Sequence, residues 1–445
     1  MQGFPIRLDQ PARHTAPLPR ACDVVVIGGG IIGVMTAWFL TKAGKKVVLC
    51  EKGRISGEQS GRNWGWIRQQ GRDLDELPIM MESLSIWHAL VAELGEGLGF
   101  RQSGVVYMAN NAKDMAGFED WLSHARAHGL DTRLMRRAEV ATLLGADVWS
   151  GGLVTPSDGR AEPWVAVPLI AQALAAKGCV IVENCAVRGL DRSSNRVTGV
   201  VTEQGEVACN GVVMAGGAWS SLFLRAQGVA LPQLSVLASV AATEPMPEIF
   251  PGNAADNAFA FRRRVDGGYT IAPGATHDFF LGPDAFRHFS KFIPVLKRDF
   301  GATHFRPAAP KGFPDAWGTP RVWDVSMGSP FEQMRILNPA PNLKTLAKVQ
   351  DDFAAAYPKL GRPTLRAAWG GMIDTLPDLV PVVDEAPLAG LFIATGMSGH
   401  GFGIGPGMGR VIADLVMGNR VGHDLQRFRL SRFTDGSKIE IAPAL

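Results

Sequence analysis

The segment Gly28-Gly29-Gly30-Ile31-Ile32-Gly33 constrains this chain more than any other. It follows a β-branched run, Asp23-Val-Val-Val-Ile27, and opens a stretch of helical character from Ile31 to Ala43 that stops at Gly44. A second apolar run, Lys46-Val-Val-Leu-Cys50, comes next and ends in Glu51 and Lys52. Strand, glycine turn, helix, strand and acid, in that order, make a βαβ unit of the dinucleotide-binding kind. Each residue type has a physical reason. Gly28 permits the tight turn, Gly30 lets the backbone approach a pyrophosphate, and Gly33 lets helix and strand pack closely. The helix start at Ile31 and Ile32 offers unpaired N–H groups to phosphate oxygens. Glu51 can accept hydrogen bonds from ribose hydroxyls, and its charge disfavours a 2′-phosphate.

At 445 residues the chain exceeds what one hydrophobic core usually organises, so two domains are expected. With 46% hydrophobic and 20% charged residues it is neither disordered nor fibrous. A formal charge of +3 over this length leaves no electrostatic footprint for nucleic acid. The five cysteines, Cys22, Cys50, Cys179, Cys185 and Cys209, have no CxxC spacing. They read as reduced thiols of a cytosolic protein, with neither a disulfide framework nor a zinc site. Residues 1–19, with four prolines and no apolar core, read as an extended lead-in and not a signal peptide. No run of 18 uncharged apolar residues occurs, so no transmembrane segment is expected. A cytoplasmic location follows, with peripheral membrane contact left open.

Three further stretches refine the nucleotide reading. Gly57 to Arg68 is small and polar, then abruptly aromatic at Trp64 and Trp66, as suits a loop following a long ligand past its diphosphate. Val212-Val-Met-Ala-Gly216-Gly217-Ala218-Trp219-Ser220 is a strand ending in glycines at a helix start. Leu391-Phe-Ile-Ala-Thr395-Gly396-Met397-Ser398-Gly399-His400-Gly401-Phe402-Gly403 is another, with a helix expected from about Pro406 to Met417. Together with the N-terminal unit these resemble the D-amino-acid oxidase and sarcosine oxidase (DAO) family of FAD-dependent oxidoreductases, from about Asp23 to Phe433.

The resemblance implies an α/β fold with a Rossmann-like FAD-binding domain of the GR2-type flavoproteins and an inserted α+β substrate domain on a mixed sheet. The FAD domain would comprise 20–85, 150–235 and 365–433, and the substrate domain 86–149 and 236–364. The sequence agrees in part: Ala258–Val265 and Tyr269–Ala272 flank a glycine turn and read as a hairpin, and residues 80–95 and 343–357 have helical spacing. The resemblance assigns Gly28, Gly30, Gly33 and Glu51 to the ADP fingerprint. It assigns Ser60, Gly61, Asn63, Trp64 and Gly65 to the loop beside the flavin, and Val187 to a backbone contact with adenine. Gly216, Gly217 and Trp219 fall on the second nucleotide strand. Gly396, Gly399, His400, Gly401, Phe402 and Gly403 match the segment that sets a helix N-terminus near the flavin pyrimidine, where negative charge collects on reduction.

Departures from the family pattern are informative. Sarcosine oxidase-like members have a lysine after GHGF that grips the substrate carboxylate, where this chain has Gly403. Their flavin-attaching cysteine corresponds to Gly371 here, before Leu376-Pro377-Asp378, so FAD is expected to be bound without a covalent link. Their oxygen-activating lysine corresponds to Ala272, which favours a dehydrogenase passing electrons to a quinone or an electron-transfer protein, with O2 still open. Arg68 aligns with a family arginine that binds a carboxylate, the alternative being a surface arginine paired with Asp73 or Glu76. Arg262 and Arg264 share one strand face and are further substrate candidates, against a solvated face. Tyr269 and Trp369 are candidate pocket walls, and His400 a candidate substrate contact. No catalytic base stands out, as hydride transfer from a neutral amine needs none.

The expected activity is oxidation of a C–N bond in an amino acid or secondary amine (a D-amino acid, a cyclic imino acid, an opine-like or an N-methyl amino acid). Hydride passes to flavin N5 and the imine is hydrolysed. The alternatives are a 2-hydroxy acid or polyol-phosphate dehydrogenase on the same scaffold, or an FAD-binding subunit of a larger oxidoreductase complex.

Overall fold

The computed structural model describes residues 2–441. The expected βαβ unit is present as β1 (Val24–Ile27), α1 (Ile31–Lys42) and β2 (Val47–Glu51), with β1 and β2 parallel. Helix α1 ends where Gly44 takes a positive φ of 82°, a conformation glycine adopts without penalty. Six strands form the first sheet, in the order Val382–Glu385, Leu391–Thr395, Gly211–Met214, β1, β2, Val180–Glu183. All neighbours are parallel except the antiparallel edge strand Val382–Glu385. Both faces of β1 are buried: Val24 and Val26 enter one core cluster, Val25 and Ile27 another. A continuous β-branched run is what such a doubly covered strand requires.

The second sheet has ten strands, and the hairpin expected around Asp266 pairs Phe259–Arg263 with Tyr269–Pro273 at its centre. Two expected domain limits do not match the strand pairing. Gly151–Thr155 pairs with Val105–Ala109, and Leu365–Thr375 pairs along its length with Leu234–Thr243, so both belong to this larger sheet. Each is an alternating or glycine-rich strand whose sheet depends on distant partners, which local pattern does not reveal. A small three-stranded sheet joins the two parts, with β3 (Trp66–Ile67) and Arg101–Gln102 on either side of Gly159–Arg160. Helix α2 (Leu77–Leu94) and a helix over Leu343–Ala356 lie where helical spacing placed them.

The lead-in is extended as expected, yet it is docked. Gln2 bridges to Ala367, and Phe4 is buried among Trp369, Ala272 and Val240. No helix among the described residues is long and apolar enough to cross a membrane.

The last long helix, here α4 (Gly401–Met417), begins five residues before the expected start at Pro406. Glycine lowers helix propensity by roughly 1 kcal/mol per residue, so five glycines within its first nine positions argue against a helix locally. Packing overrides that. A Cβ on Gly405 would lie 2.7 Å from the Ile31 side chain and one on Gly409 2.8 Å from the Thr36 nitrogen, so this glycine row lets α4 lie directly on α1. Gly403 and Gly407 form a second row, against β3 and α2.

Candidate active site

At the carboxyl ends of the parallel strands lies a cleft with about 1180 Å³ of atom-free space, partly open to solvent. Such a crevice outside the strand ends is where open α/β sheets bind ligands. It is lined by Gly28, Gly29, Gly30, Ile31 and Ile32 from the glycine turn, by Glu51 and Lys52 from the end of β2, and by Ser60 and Asn63. Val187, Gly216, Gly217, Trp219, Gly399, Gly401 and Phe402 complete the expected set that reaches it.

The turn has no room for side chains. A Cβ on Gly28 would run into the Ala215 carbonyl, and one on Gly30 would lie 2.8 Å from Ser60 Oγ. Ser60 Oγ accepts from the Ile31 N–H at 2.9 Å, which pins the loop to the first turn of α1. Glu51 accepts from the N–H groups of Gly29 and Gly53, both at 2.7 Å, so the carboxylate is aimed while each oxygen keeps a further lone pair. Burial pushes its carboxyl up to about 7. Lys52 is held by Glu58 Oε1 and the carbonyls of Met334 and Arg335, with its ammonium 4.4 Å from the Trp219 ring centre. The glycine cradle, helix terminus and strand-end acid suit a diphosphate and a ribose, and the length of the cleft up to α4 suits a flavin beyond them.

The FAD dependent oxidoreductase (DAO) family matches residues 23–415. The chain belongs to this family. Its cofactor is FAD, and it is an oxidoreductase with the mixed α/β architecture of the family. The sequence is 25% identical to sarcosine oxidase subunit beta of Rhizobium meliloti, covering 96% of this chain and 92% of that protein. It is also 25% identical to human mitochondrial sarcosine dehydrogenase over 97% of this chain, but spans only 43% of that protein. L-amino acid deaminase from Proteus myxofaciens, solved in complex with anthranilate, superposes with a TM-score of 0.89 at 29% identity, over 95% of this chain and 97% of that one.

Within this family member Gly33, Gly61, Trp64, Gly65, Gly396, His400 and Gly403 do not line the cleft and stand behind its wall. A Cβ on Gly33 would meet the Gly28 carbonyl, and one on Gly61 the Ser56 carbonyl. Asn63 shapes its own loop, donating to the Ser60 carbonyl and accepting from the Gly65 N–H, both at 2.7 Å. Trp64 packs on Trp66, with ring centres 5.5 Å apart. Gly396, at φ 76°, donates its N–H to Asp374 Oδ2 at 2.7 Å. His400 is the N-cap residue of α4, but its ring turns to Glu76, with Nδ1 3.2 Å from Oε2. Burial holds His400 well below its ordinary pKa, with Arg72 and Arg68 adding to the effect.

Three expected substrate residues are placed elsewhere. Arg262 is fully buried and makes a two-pronged pair with Glu162, at 2.8 and 3.1 Å, while also donating to the Trp64 carbonyl. Arg264 is buried and engaged by Asp266 and by the Tyr269 and Thr243 carbonyls. Tyr269 lies in the core beside Phe261, and its hydroxyl accepts from the Ile249 N–H at 2.7 Å. Arg262 and Tyr269 lie on opposite faces of the hairpin, each covered by other parts of the chain, and the polar groups of all three are spent within the protein. Trp369 is likewise buried, donating Nε1 to the Arg62 carbonyl.

Arg68 also lies outside the cleft lining, but its donors differ from these. It is half-buried directly after β3, and Nη1 donates to the Gln70 carbonyl while Nε and Nη2 have no partner among the described residues. Neither alternative partner takes it: Asp73 pairs with Arg427, and Glu76 faces His400. Its guanidinium lies 5.5 Å from the ring centre of Tyr107, which in turn packs on Trp66. Sequence reading missed Tyr107, although the chain has only three tyrosines. It also missed Asp374, whose carboxylate holds the turn before α4, and Arg54, Glu58 and Gln59 in the cleft wall. These polar residues sit in no recognisable spacing, so only the fold gathers them.

Proposed function

We propose that this oxidoreductase oxidises the C–N bond of a carboxylate-bearing amine, an amino acid or N-substituted amino acid, and releases an imine that water hydrolyses. The observation that carries the reading is Arg68. It is the one candidate arginine with unspent guanidinium donors, and it sits at the end of the strand on which the first turn of α4 rests. A carboxylate can take two parallel hydrogen bonds from such a fork. The half-buried ring of Tyr107 beside it suits an apolar or aromatic substituent. The Proteus myxofaciens deaminase was solved with anthranilate, an aromatic carboxylate with an adjacent amine, which fits the same pattern.

Bound FAD supplies the hydride acceptor. The chain's own residues supply position and field. Gly28, Gly30 and the start of α1 would hold the diphosphate, Glu51 the ribose, and the start of α4 would face the flavin ring. Arg68 and the buried Arg72, pushed down by burial to about 9 yet still cationic at neutral pH, set a positive potential. That potential draws in a carboxylate and disfavours a substrate ammonium, so the neutral, reactive amine is favoured. His400, held neutral, adds no charge that would oppose this.

Gly371 carries no side chain that could link to a flavin, which supports non-covalent FAD. Ala272 is buried in an apolar cluster with Phe4 and Trp369 and supplies no cation. We therefore assign reoxidation to a quinone or electron-transfer protein ahead of O2. The extent shared with a sarcosine oxidase beta subunit supports a second reading, activity only within a larger complex, which native gel filtration with added extract would reveal.

The test is an anaerobic spectral titration of the holoenzyme with L- and D-amino acids, N-methyl amino acids and 2-hydroxy acids. Bleaching of the flavin band near ~450 nm by an amine substrate, with hydroxy acids inert, is expected. Arg68→Lys should weaken that substrate roughly 10- to 100-fold, the cost of a charged bidentate contact. Bleaching by hydroxy acids alone would overturn the assignment. Acid denaturation should release free FAD.

A further inference from the structure

Every exposed aromatic side chain among the described residues lies in one stretch: Phe286, Phe289, Phe300, Phe305 and Trp317, with Phe286 64% and Phe300 63% exposed. Helix α3 (Phe289–Asp299) runs through it. Phe292 and Val295 pack α3 onto Leu234, Ala285 and Phe279. Phe289, Ile293, Leu296 and Phe300, spaced i, i+4, i+7 and i+11, form a different stripe on the same helix. That stripe is exposed at both ends and half-buried between. Two ring pairs extend it, Phe286 with Trp317 at 6.0 Å and Phe300 with Phe305 at 5.7 Å.

The charge around this face has one sign. Asp284 and Asp315 are tied to Arg225 and Arg321, Asp299 to Arg298, and Asp278 to Arg306. Lys297 and Lys311 are exposed and have no acidic partner among the described residues, and Arg287 is 55% exposed despite its contact with Asp284. An apolar stripe flanked by uncompensated cations suits a surface that is apolar beneath and anionic at its rim. Scattered apolar residues need no explanation, but the gathering of the exposed Phe and Trp rings of the described residues in one stretch does.

We propose that α3 and its flanking rings seat the enzyme on an anionic lipid bilayer, with the Phe289–Phe300 stripe entering the acyl boundary and Lys297, Lys311 and Arg287 at the headgroups. The helix is too short to span, so it lies in the interface plane. The docking does not rest on the C–N oxidation reading.

The test is flotation of the holoenzyme with phosphatidylcholine vesicles, with and without phosphatidylglycerol. Binding is expected only with phosphatidylglycerol and should fall as salt is raised. Lys297→Ser with Lys311→Ser should weaken it about 30-fold, since each lysine near an anionic surface contributes roughly 1 kcal/mol, about fivefold. Phe289→Ser with Phe300→Ser should weaken it by more than about tenfold. Phe286→Ser with Trp317→Ser is the second apolar pair should the first fold poorly. Flavin absorbance and dye reduction should stay unchanged in each variant. Absence of flotation with either vesicle, or flotation indifferent to these substitutions, overturns the proposal. A dimer split by Phe289→Ser with Phe300→Ser, in a protein that does not float, overturns it in favour of a second copy on this face.

Discussion

Arg262 separates a substrate role from a structural one, and the two make opposite predictions. Its guanidinium is fully buried, and Glu162 is 4% exposed. Six hydrogen bonds converge on the pair: two between the partners, three from Arg262 to the Trp64 and Arg263 carbonyls and Thr270 Oγ1, and one from the Val265 N–H to Glu162 Oε1. Removing one partner of a buried pair leaves the other charge uncompensated and costs about 3–5 kcal/mol. Arg262→Met and Glu162→Gln should therefore each destabilise by that amount. An unfolding entropy of about 2.1 cal/mol/K per residue over 445 residues gives roughly 0.9 kcal/mol/K, so the melting temperature should fall by about 3–5 °C. The double variant Arg262→Met with Glu162→Leu should regain most of the loss, because apolar replacement of a whole buried pair is often neutral. The assay is thermal unfolding with FAD saturating, alongside substrate titration of the folded variant, whose affinity should change less than about twofold. If Arg262→Met melts like the parent yet no longer binds substrate, the structural role is wrong and Arg262 belongs to the pocket.

Three other changes test the site. Gly30→Ala places a Cβ 2.8 Å from Ser60 Oγ and should weaken FAD binding at least tenfold, about 1.4 kcal/mol, read by flavin fluorescence on dialysis. Burial pushes the Glu76 carboxyl up to about 7 from 4.5, so the folded state holds its proton more tightly than the unfolded chain and stability falls as pH rises across that window. Glu76→Gln cannot titrate, so in denaturant melts its stability relative to the parent should grow by up to about 3 kcal/mol between pH 4.5 and 7, and parallel curves would refute the assignment. Gly403→Lys should cost about 1–3 kcal/mol by overpacking and should not improve substrate affinity, as melting and titration together would report.

The parts of the fold that the sequence reveals are those in which local pattern and tertiary environment agree. The β-branched run Val24–Ile27 is buried on both faces, and Gly44 stops α1 by taking a positive φ. Both requirements are local, so both are legible. Gly151–Thr155 and Leu365–Thr375 are strands whose sheet depends on partners far along the chain, and no local property distinguishes one sheet from the other. At the site, the turn residues Gly28 to Ile32 and the strand-end Glu51 reach the cleft because backbone geometry fixes them there. The hairpin carrying Arg262 and Tyr269 is legible but its burial is not, since Glu162 covers one face and Phe353 the other, and both arrive from elsewhere. Tyr107 was hidden for the same reason: its value lies in standing beside Arg68, 39 residues away in sequence.

The glycine rows of α4 bear on the proposed substrate grip. In sarcosine oxidase-like relatives the position after GHGF carries a lysine for the carboxylate. Here a Cβ at Gly403 would lie 3.2 Å from the Trp66 carbonyl and from Ile67 Cα, and 3.5 Å from the Arg68 nitrogen. The Gly403 carbonyl is also fixed from the other side, by Ser83 Oγ at 2.7 Å and Trp87 Nε1 at 3.0 Å. The first turn of α4 is thus clamped between α2 and β3, and a side chain at 403 would press β3 back by a few tenths of an ångström. Because β3 leads directly into Arg68, such a displacement would move the guanidinium it was meant to assist. With glycine at 403 packed this closely on β3, our reading leaves the carboxylate grip to Arg68 and to the field of Arg72 behind it.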